Sequence, residues 1–325
     1  RIFEGAVCHS LGRSSGSLFD DVDSSNDCIF VFSEMVRSSI DGWRVETIDA
    51  SGGQLSEKSQ DKDLLSLDFE RVNPVSGPIF VEGAEKGDIL SINFLEFSPN
   101  SQGWGWTANI PGFGLLADQF LDPRLHTWKY DSNNPISSLF GSYGKVPLKP
   151  FCGTVGLALE QKGPHSVVPP RRVGGNLDIR DNCAGTTLYL PVEVQGALLS
   201  LGDTHAAQGD GEVCGTAIES PMTVQCKIDL IKSSHIDYPR LETSGPVTNH
   251  FDVKGYKVTT GIGEDLMQAA RDAVSGMIDW LAHATGMPAL DAYMLCSVCG
   301  DLRISEIVDV PNWTVSFYFP KVVLD

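Results

Sequence analysis

Hydrophobic residues along the chain fall mainly into short segments in which they alternate with polar residues. The clearest segment is Met222 to Leu230, where every second residue is apolar and the intervening positions are Thr223, Gln225, Lys227 and Asp229. Successive side chains of a strand point to opposite faces of a sheet, so this alternation is typical of a strand with one buried face. We therefore predict a half-buried strand here.

Segments with a similar pattern are spread over the whole chain. In Asp88 to Phe97, the residues Leu90, Ile92 and Phe94 are expected to share the buried face. The chain also contains 33 glycines and 18 prolines, which are typical of turns between many short strands. The remaining predicted strands are Cys28 to Phe32, Trp43 to Ile48, Leu188 to Val194, Ala197 to Leu201, Val213 to Ile218, Phe251 to Thr259 and Trp313 to Phe319.

A different spacing indicates two helices late in the chain. In Glu264 to Ala284, apolar residues recur every three or four positions, which predicts an amphipathic helix. Gly286 and Pro288 are expected to end it. A second helix is predicted from Pro288 to about Val298, so that the two form a helical hairpin.

These elements predict a mainly β fold with an appended α+β portion, in which strands form sandwich-like or barrel-like layers beside the late helical hairpin. Strands and helices do not alternate along the chain, which argues against a doubly wound sheet. Few periodic segments occur between Pro99 and Gly144, so we place a soft domain boundary near the end of that stretch. The predicted domains are residues 1–145 and residues 146–325, both rich in strands.

The charge balance excludes several classes of function. The 325 residues include 42 Asp and Glu against 24 Lys and Arg, a formal charge of −18. Nucleic acid is not an expected partner, because no cluster of basic residues is available for a phosphate backbone. A membrane is not expected either, because no apolar run reaches the roughly 18 residues needed to cross one.

Eight cysteines are too few to hold a chain of this length together by disulfides, so reduced core cysteines are expected. This favours the cytoplasm as the compartment. The sequence starts at Arg1, which leaves a removed N-terminal targeting segment open. Cys296 and Cys299 form a lone CxxC pair, which does not indicate a metal site without a second pair at zinc spacing.

One polar cluster precedes the apolar stretch Leu188 to Leu201 and a second follows it. One is Gly174 to Asp178 and the other is Gly202 to Glu212, with Glu219 following a predicted strand. Because both clusters lie at strand ends that are joined through the core, we expect them to converge.

The second cluster holds one His, one Gln, three acids and three glycines within eleven residues. Asp203 and His205 are two positions apart, so on an extended backbone their side chains leave the same face and are able to bind one ion. Carboxylates grouped with an imidazole suit zinc or another divalent cation with a position left for water. A calcium loop or a hairpin turn without a site are the alternatives.

The segment Gly202 to Glu219 resembles the signature of the acetamidase/formamidase family. Other segments agree with that family in the same order along the chain: Asp49 to Gln54, Gly77 to Ala84, Pro111 to Gly114, Pro169 to Arg171, Gly174 to Asp178 and Asp301 to Glu306. The resemblance covers nearly the whole chain. It implies a mainly β homo-oligomer with a bound metal that hydrolyses short amides such as formamide or acetamide to a carboxylate and ammonia.

Amide hydrolysis needs a polarised carbonyl, an activated water and a proton for the departing nitrogen. Together with the resemblance, this need suggests a role for each polar residue. The expected metal ligands, for Zn²⁺ or alternatively Ca²⁺, are Asp178, Asp203 and His205. The expected catalytic residues are Glu219, Glu212 and Asn176. Glu219 is expected to act as general base and acid or alternatively as a fourth ligand, and Glu212 and Asn176 are expected to orient the substrate or the ligands. The expected substrate-binding residues are Gln208 and His165.

Two other functions remain open from the sequence. The same fold suits a cyclic or larger amide, as in a lactamase, and the acidic loop also suits a non-catalytic calcium- or carbohydrate-binding β module. Four further histidines lack acids at ligand spacing and are expected to be structural: His126, His235, His250 and His283.

Overall fold

The computed structural model describes residues 35–36, 42–100 and 103–324. Up to residue 156 the strands are β1 (Met35–Val36), β2 (Trp43–Glu46), β3 (Val75–Val81), β4 (Ile89–Pro99), β5 (Trp104–Asn109), β6 (Arg124–Lys129), β7 (Ser137–Phe140), β8 (Gly144–Pro147) and β9 (Phe151–Gly156). The later strands are β10 (Gly174–Asn176), β11 (Thr186–Pro191), β12 (Leu199–His205), β13 (Met222–Ile231), β14 (Arg240–Thr243), β15 (Tyr256–Gly263), β16 (Asp301–Glu306) and β17 (Trp313–Pro320). The α-helices are α1 (Asn249–Asp252), α2 (Leu266–Thr285) and α3 (Ala289–Cys299). The predicted mainly β class with two late helices is confirmed.

Two five-stranded sheets form the main layers. Their strand orders are β1-β3-β12-β9-β10 and β14-β11-β4-β13-β2. The third sheet, β15-β17-β16, lies against α2, and the hairpins β5–β6 and β7–β8 complete the described strands. One continuous core of buried apolar side chains includes residues of both large sheets and of the two long helices.

The alternation in the sequence identified the central strands of the second sheet. In β13, Met222, Val224 and Cys226 are buried, while Lys227 and Asp229 are exposed. The neighbouring β4 buries Leu90, Ile92 and Phe94 completely, in agreement with the prediction. These strands are half-buried because their apolar faces lie in the core.

The long helix begins and ends at the signals that predicted it. The Asp265 side chain accepts a hydrogen bond from the backbone N–H of Gln268 and caps the N-terminus of α2. Gly286 ends the helix in the left-handed conformation, with φ of 71°. The following helix, α3, is buried over most of its length, which places it inside the core.

Three sequence predictions about elements differ from the structure. Residues 213–218 do not form a strand but run through turns, because Gly215 has a left-handed φ of 86° and backbone groups there bond to side chains. Residues 251–259 divide into the end of α1 and the start of β15, with Gly255 at φ 71° between them. Residues 99–144 contain β5, β6 and β7, although few elements were expected there.

The predicted strand Cys28 to Phe32 lies outside the described residues, and the domain boundary near residue 145 stays a prediction. In the described ranges, no helix is long and apolar enough to cross a membrane. The six cysteines in those ranges are free and buried. Burial raises the pKa of the Cys296 and Cys299 thiols well above the usual value, so the CxxC pair is part of the packed helix α3.

Candidate active site

Strand β9 brings the two polar clusters together. It pairs with β12, which carries Asp203 and His205, and with β10 on its other side. Thr154 at the middle of β9 lies opposite Gly202 in β12 and opposite Asn176 in β10. The segment after β10 therefore meets the end of β12, as the sequence predicted.

Gly153 of β9 allows two carboxylates to close over the strand. A Cβ atom at this position would lie 2.6 Å from Asp178 Oδ1 and 3.0 Å from Asp203 Oδ2. Cβ atoms in proteins essentially never approach another heavy atom more closely than 3.0 Å, so the first contact is excluded and the second is at the limit. The absence of a side chain at Gly153 is thus a condition for the approach of the two acids.

His205 lies at the centre of the cluster, with both ring nitrogens engaged. Its Nδ1 is 2.9 Å from Gln208 Oε1, and Gln208 Nε2 donates to the backbone carbonyl of Asp178 at 2.7 Å. The Gln208 oxygen therefore accepts, so Nδ1 carries a hydrogen. Nε2 then faces Asp203 Oδ1 at 3.1 Å and Glu219 Oε2 at 3.0 Å. A nitrogen lone pair opposite two carboxylates requires a cation, either a proton on Nε2 or a metal ion.

Two buried carboxylate oxygens of the cluster lack hydrogen-bond partners. They are Asp178 Oδ1 and Glu219 Oε2, the latter near His205 Nε2 but without hydrogen-bond alignment. The other Glu219 oxygen accepts from the Ala217 N–H at 2.9 Å. Leaving such oxygens unpaired in the interior is costly unless a cation is present. This arrangement fits a bound divalent metal.

The candidate ligand atoms form two groups that share His205. The first group is Asp178, Asp203 and His205, and the second is His205, Glu212 and Glu219. Within each group the ligand atoms all lie within 4.8 Å of one another. The first group is the ligand set expected from the sequence, and the second contains the two expected catalytic carboxylates.

The pKa values of three acids in this buried cluster are raised above their usual values. Burial, with repulsion from Asp203, raises the pKa of Asp178 to about 7. Burial, with repulsion from Asp178, raises the pKa of Glu212 well above its usual value. Burial also raises the pKa of Glu219, although the nearby imidazole opposes this.

The pKa values of His205 and Asp203 shift in the directions expected for an ion pair. Burial opposes a charge on Asp203, but attraction by His205 lowers the pKa of this acid below its usual value. Burial likewise opposes a charge on His205, but Glu219 and Asp203 raise its pKa well above the usual value. Without a metal the cluster therefore retains protons, which metal binding would release.

Three of the acids also have unusual backbone conformations. Asp178, Asp203 and Glu212 have φ angles of 46°, 53° and 42°. Such left-handed conformations are unfavourable for non-glycine residues and cluster at functional sites. Three of them within one cluster indicate that the fold holds these carboxylates in place against local preference.

Two residues that the sequence analysis missed support Asn176. Thr154 Oγ1 donates to Asn176 Oδ1 at 2.6 Å and also lies 3.2 Å from Asp203 Oδ2. Asn73 Nδ2 donates to the same Asn176 oxygen at 3.0 Å. Both contacts orient the Asn176 amide. Neither Thr154 nor Asn73 belongs to a polar cluster in the sequence, so only the strand pairing could reveal them.

Glu212 and Glu219 come from irregular backbone that is fixed by neighbouring elements. The Ser297 carbonyl in α3 accepts from the Gly209 N–H at 2.8 Å, which anchors the loop before Glu212. Glu219 exchanges two backbone hydrogen bonds with Trp106 of β5, at 2.8 and 3.0 Å. A loop that is anchored to α3, followed by the backbone pairing of Glu219 with Trp106, takes the place of the strand predicted for residues 213–218.

The structure brings seven of the eight predicted site residues into one cluster, in which Asn176 is linked to Asp203 through Thr154 and Glu212 lies within 4.8 Å of the His205 and Glu219 ligand atoms. The joined residues are Asn176, Asp178, Asp203, His205, Gln208, Glu212 and Glu219. The eighth, His165, lies in the loop between β9 and β10, where its ring Nε2 is 2.8 Å from the Gln161 carbonyl oxygen. A role for His165 in substrate binding stays a prediction.

Comparison with solved structures places this architecture among amidases. An acetamidase from Bacillus halodurans has a TM-score of 0.58 and 35% identity, covering 92% of this chain and 93% of that chain. A gamma lactamase from Delftia acidovorans has a TM-score of 0.81 and 24% identity, covering 94% of this chain and 88% of that chain. The second likeness shows a shared fold.

Comparison with known sequences also finds amidases. The chain is 28% identical over 352 residues to a formamidase of Methylophilus methylotrophus, covering 88% of this chain and 85% of the relative. It is 31% identical over 273 residues to an acetamidase of Mycolicibacterium smegmatis, covering 66% and 65%. The profile of the acetamidase/formamidase family matches residues 33–166 and 150–325. Because these matches span most of the chain, the protein belongs to the acetamidase/formamidase family of amide hydrolases.

Proposed function

We propose that this protein hydrolyses a short linear amide, such as formamide or acetamide, to a carboxylate and ammonia with the help of a divalent metal. The observation that carries the proposal is His205 Nε2, which lies within 3.1 Å of two buried carboxylates. The names of the relatives, formamidase and acetamidase, support the substrate class.

Asp178, Asp203 and His205 are the residues that would hold the metal. When bound, a divalent cation would supply a Lewis acid that polarises the amide carbonyl and lowers the pKa of water. Gln208 would keep the His205 ring in the tautomer that presents Nε2 to the site, because it accepts the Nδ1 hydrogen.

Glu219 is the proposed general base. Its buried Oε2 lacks a hydrogen-bond partner, so it is available to take a proton from the attacking water and return it to the departing nitrogen. Burial raises the pKa of Glu212 well above its usual value, so this acid is the second proposed source of a proton for the departing nitrogen. The Asn176 amide, oriented by Thr154 and Asn73, would donate to the substrate carbonyl.

Zinc is the proposed ion and calcium the alternative. Calcium takes oxygen ligands, whereas zinc readily takes an imidazole nitrogen together with carboxylates. The central position of His205 therefore favours zinc. Elemental analysis of the purified protein separates the two: about one zinc per chain supports the hydrolase, whereas calcium alone supports a non-catalytic binding module.

The test of the reaction is ammonia release from formamide, acetamide, propionamide and a γ-lactam. We expect His205→Ala to lose both the bound metal and the turnover, because it removes the nitrogen shared by both candidate ligand groups. His235→Ala, which changes an exposed histidine paired with Asp237, is the control and should keep both. His205→Gln provides a second variant if the alanine protein does not fold.

Full turnover by metal-free His205→Ala would contradict the metal-assisted mechanism. Turnover of the lactam in preference to every linear amide would contradict the linear-amide assignment and favour the cyclic alternative.

We further propose a homo-oligomer in a reducing compartment such as the cytoplasm. The six free buried cysteines support the compartment. Beside the family resemblance, the loop between β16 and β17 supports self-association, because Ile307, Val308 and Val310 expose 53%, 76% and 78% of their surface. Adjoining exposed apolar side chains are typical of contact surfaces.

A further inference from the structure

A buried arginine forms a two-point ion pair outside the acidic cluster. Arg180 Nη2 donates to Asp301 Oδ2 at 3.0 Å, and its Nη1 donates to Asp301 Oδ1. The two side chains expose only 8% and 1% of their surface. Charges that are removed from water need good geometry on both sides, which a planar guanidinium and a carboxylate provide. The contact therefore fixes these two residues relative to each other.

Asp210 adds a second contact to the same guanidinium. Its Oδ1 lies 3.3 Å from Arg180 Nε. The Asp210 carbonyl also accepts from the Leu302 N–H at 2.8 Å, and Leu302 follows Asp301 in β16. Arg180, Asp210 and Asp301, which we call the arginine network, thus connect the segment after β10, the loop after β12 and the start of β16.

Two of these segments each carry an acid of the site in a strained conformation. Asp178 lies two residues before Arg180, and Glu212 lies two residues after Asp210. The φ angles of these two acids are 46° and 42°. Such conformations persist only where the surrounding structure over-determines them. The arginine network provides such a constraint on both segments from outside the site.

The charges of the arginine network are balanced. Arg303 Nη2 donates to Asp301 Oδ2 at 3.1 Å, so two arginines face two aspartates. The nearly equal positive and negative charge adds little net field at the acidic cluster. An influence of the arginine network on the site therefore acts through geometry.

We propose that the ion pairs of Arg180 with Asp210 and Asp301 position two acids of the site. They hold the Asp178 and Glu212 carboxylates at the spacing that a metal ion and a substrate need. This use rests on the proposed function, in which Asp178 holds the metal and Glu212 provides a proton. Residues that orient metal ligands from behind generally change metal affinity or activity 10- to 100-fold.

No local pattern in the sequence indicates the arginine network. Asp210 lies in the second polar cluster, and Asp301 lies in a segment that resembles the family, but neither position implies an ion pair. Arg180 and Asp301 are separated by 121 residues. Only the folded chain brings them together.

The main test compares two double variants that each remove a buried ion pair. Arg180→Gln with Asp301→Asn removes the pair near the site and takes away both of its charges. Lys232→Gln with Asp88→Asn is the matched control, because the Asp88 side chain is 4% exposed and accepts from Lys232 Nζ at 2.7 Å. Circular dichroism and urea denaturation check that both variants fold and that they lose comparable stability.

Hydrogen exchange of the metal-free proteins, followed by mass spectrometry, measures the positioning itself. We expect faster exchange in residues 178–182 and 209–212 of the Arg180 and Asp301 double variant, with β4 and β13 unchanged. The control should leave both segments as they are in the unmodified protein. A purely structural role would raise exchange throughout the chain instead.

Zn²⁺ affinity, measured by competition with a chelating dye, tests the consequence for the site. It should fall about tenfold in the Arg180 and Asp301 double variant and stay unchanged in the control. Arg180→Gln alone removes a positive charge, which by charge alone would strengthen cation binding, whereas lost positioning weakens it. Arg180→Lys keeps the charge without the planar two-point contact, so we expect it to bind Zn²⁺ more weakly as well.

Unchanged exchange in both segments would overturn the inference. Unchanged Zn²⁺ affinity in the double variant, or higher affinity in Arg180→Gln, would also overturn it. Absence of Zn²⁺ binding by the unmodified protein would overturn the proposed metal, while the exchange of the metal-free proteins still decides the positioning. No amide is present in either measurement, so the outcome does not depend on whether hydrolysis is observed.

Discussion

At the scale of single residues, the site depends on a position that has no side chain. Gly153 carries no chemistry, yet Asp178 and Asp203 approach each other across its Cα atom. The positive φ angles of these two acids contribute to the same geometry. The distance between the Asp178 and Asp203 carboxylates therefore depends partly on the absence of a methyl group at position 153.

We predict that Gly153→Ala weakens metal binding at least about tenfold and lowers turnover in parallel, because its Cβ would lie 2.6 Å from Asp178 Oδ1 and force the carboxylates apart. Metal affinity is measured by competition with a chelating dye. Gly245→Ala is the matched control, since nothing lies within 4 Å of a Cβ added there. Unchanged affinity in Gly153→Ala would contradict this role.

At the scale of elements, helix α3 supports the loop that carries Glu212. Ser297 Oγ accepts from the Cys214 N–H at 3.1 Å and donates to the Thr216 carbonyl at 2.7 Å, in addition to the backbone contact with Gly209. One buried serine thus ties three points of an irregular loop to a helix in the core. The loop keeps its shape without being a strand.

We predict that Ser297→Ala lowers the free energy of unfolding by about 2 kcal/mol, because it leaves a buried N–H and a buried carbonyl unpaired. It should also reduce kcat about tenfold with metal content unchanged, since the expected ligands lie outside this loop. Chemical denaturation, kinetics and elemental analysis check these points. Ser305→Ala, at an exposed serine of β16, is the control. Loss of metal together with unchanged kcat would contradict the assignment.

At the scale of the whole molecule, the acidic cluster makes stability depend on pH when metal is absent. A carboxyl whose pKa is higher in the folded protein contributes stability below its unfolded pKa and loses it as the pH rises through the folded value. For Asp178 this window runs from about pH 4 to the folded pKa of about 7. Glu212 and Glu219 shift in the same direction.

His205 changes the stability in the same direction as the raised carboxyls. Its raised pKa contributes stability that is lost as the pH rises through the folded pKa. Asp203, whose pKa is lowered, acts oppositely and only in the acidic range below about pH 4. Above about pH 5 the contributions of the cluster therefore all decrease with pH.

We predict that the free energy of unfolding of the metal-free protein falls between about pH 5 and pH 8. Asp178 contributes up to about 3 kcal/mol of this fall, from the two units between pH 5 and its folded pKa of about 7 at roughly 1.4 kcal/mol per unit. Urea denaturation in the presence of a chelator measures it. Asp178→Asn cannot titrate and should reduce the slope. Stability that rises with pH over this range in the metal-free protein would contradict the assigned pKa directions.

Much of the secondary structure could be predicted because it depends on local spacing. The alternation in β13 and the helical repeat with its Asp265 and Gly286 caps depend on neighbouring residues alone. The segment 213–218 was mispredicted because its apolar residues are buried although its backbone bonds to side chains, such as Ser297 of α3, rather than to a neighbouring strand. An apolar segment indicates that its residues are buried, but it does not show whether they form a strand or a loop.

By itself, the sequence determined the fold class, the family and the residue types of the site, because hydropathy patterns and a dense polar motif are local properties of the chain. Only the tertiary structure decided which atoms face one another: His205 lies between two carboxylates, and Thr154 and Asn73 both bond to Asn176. Those contacts join residues that are distant along the chain, and their distances are determined by strand pairing and by the close backbone approach at Gly153. No pattern of neighbouring residues contains that information.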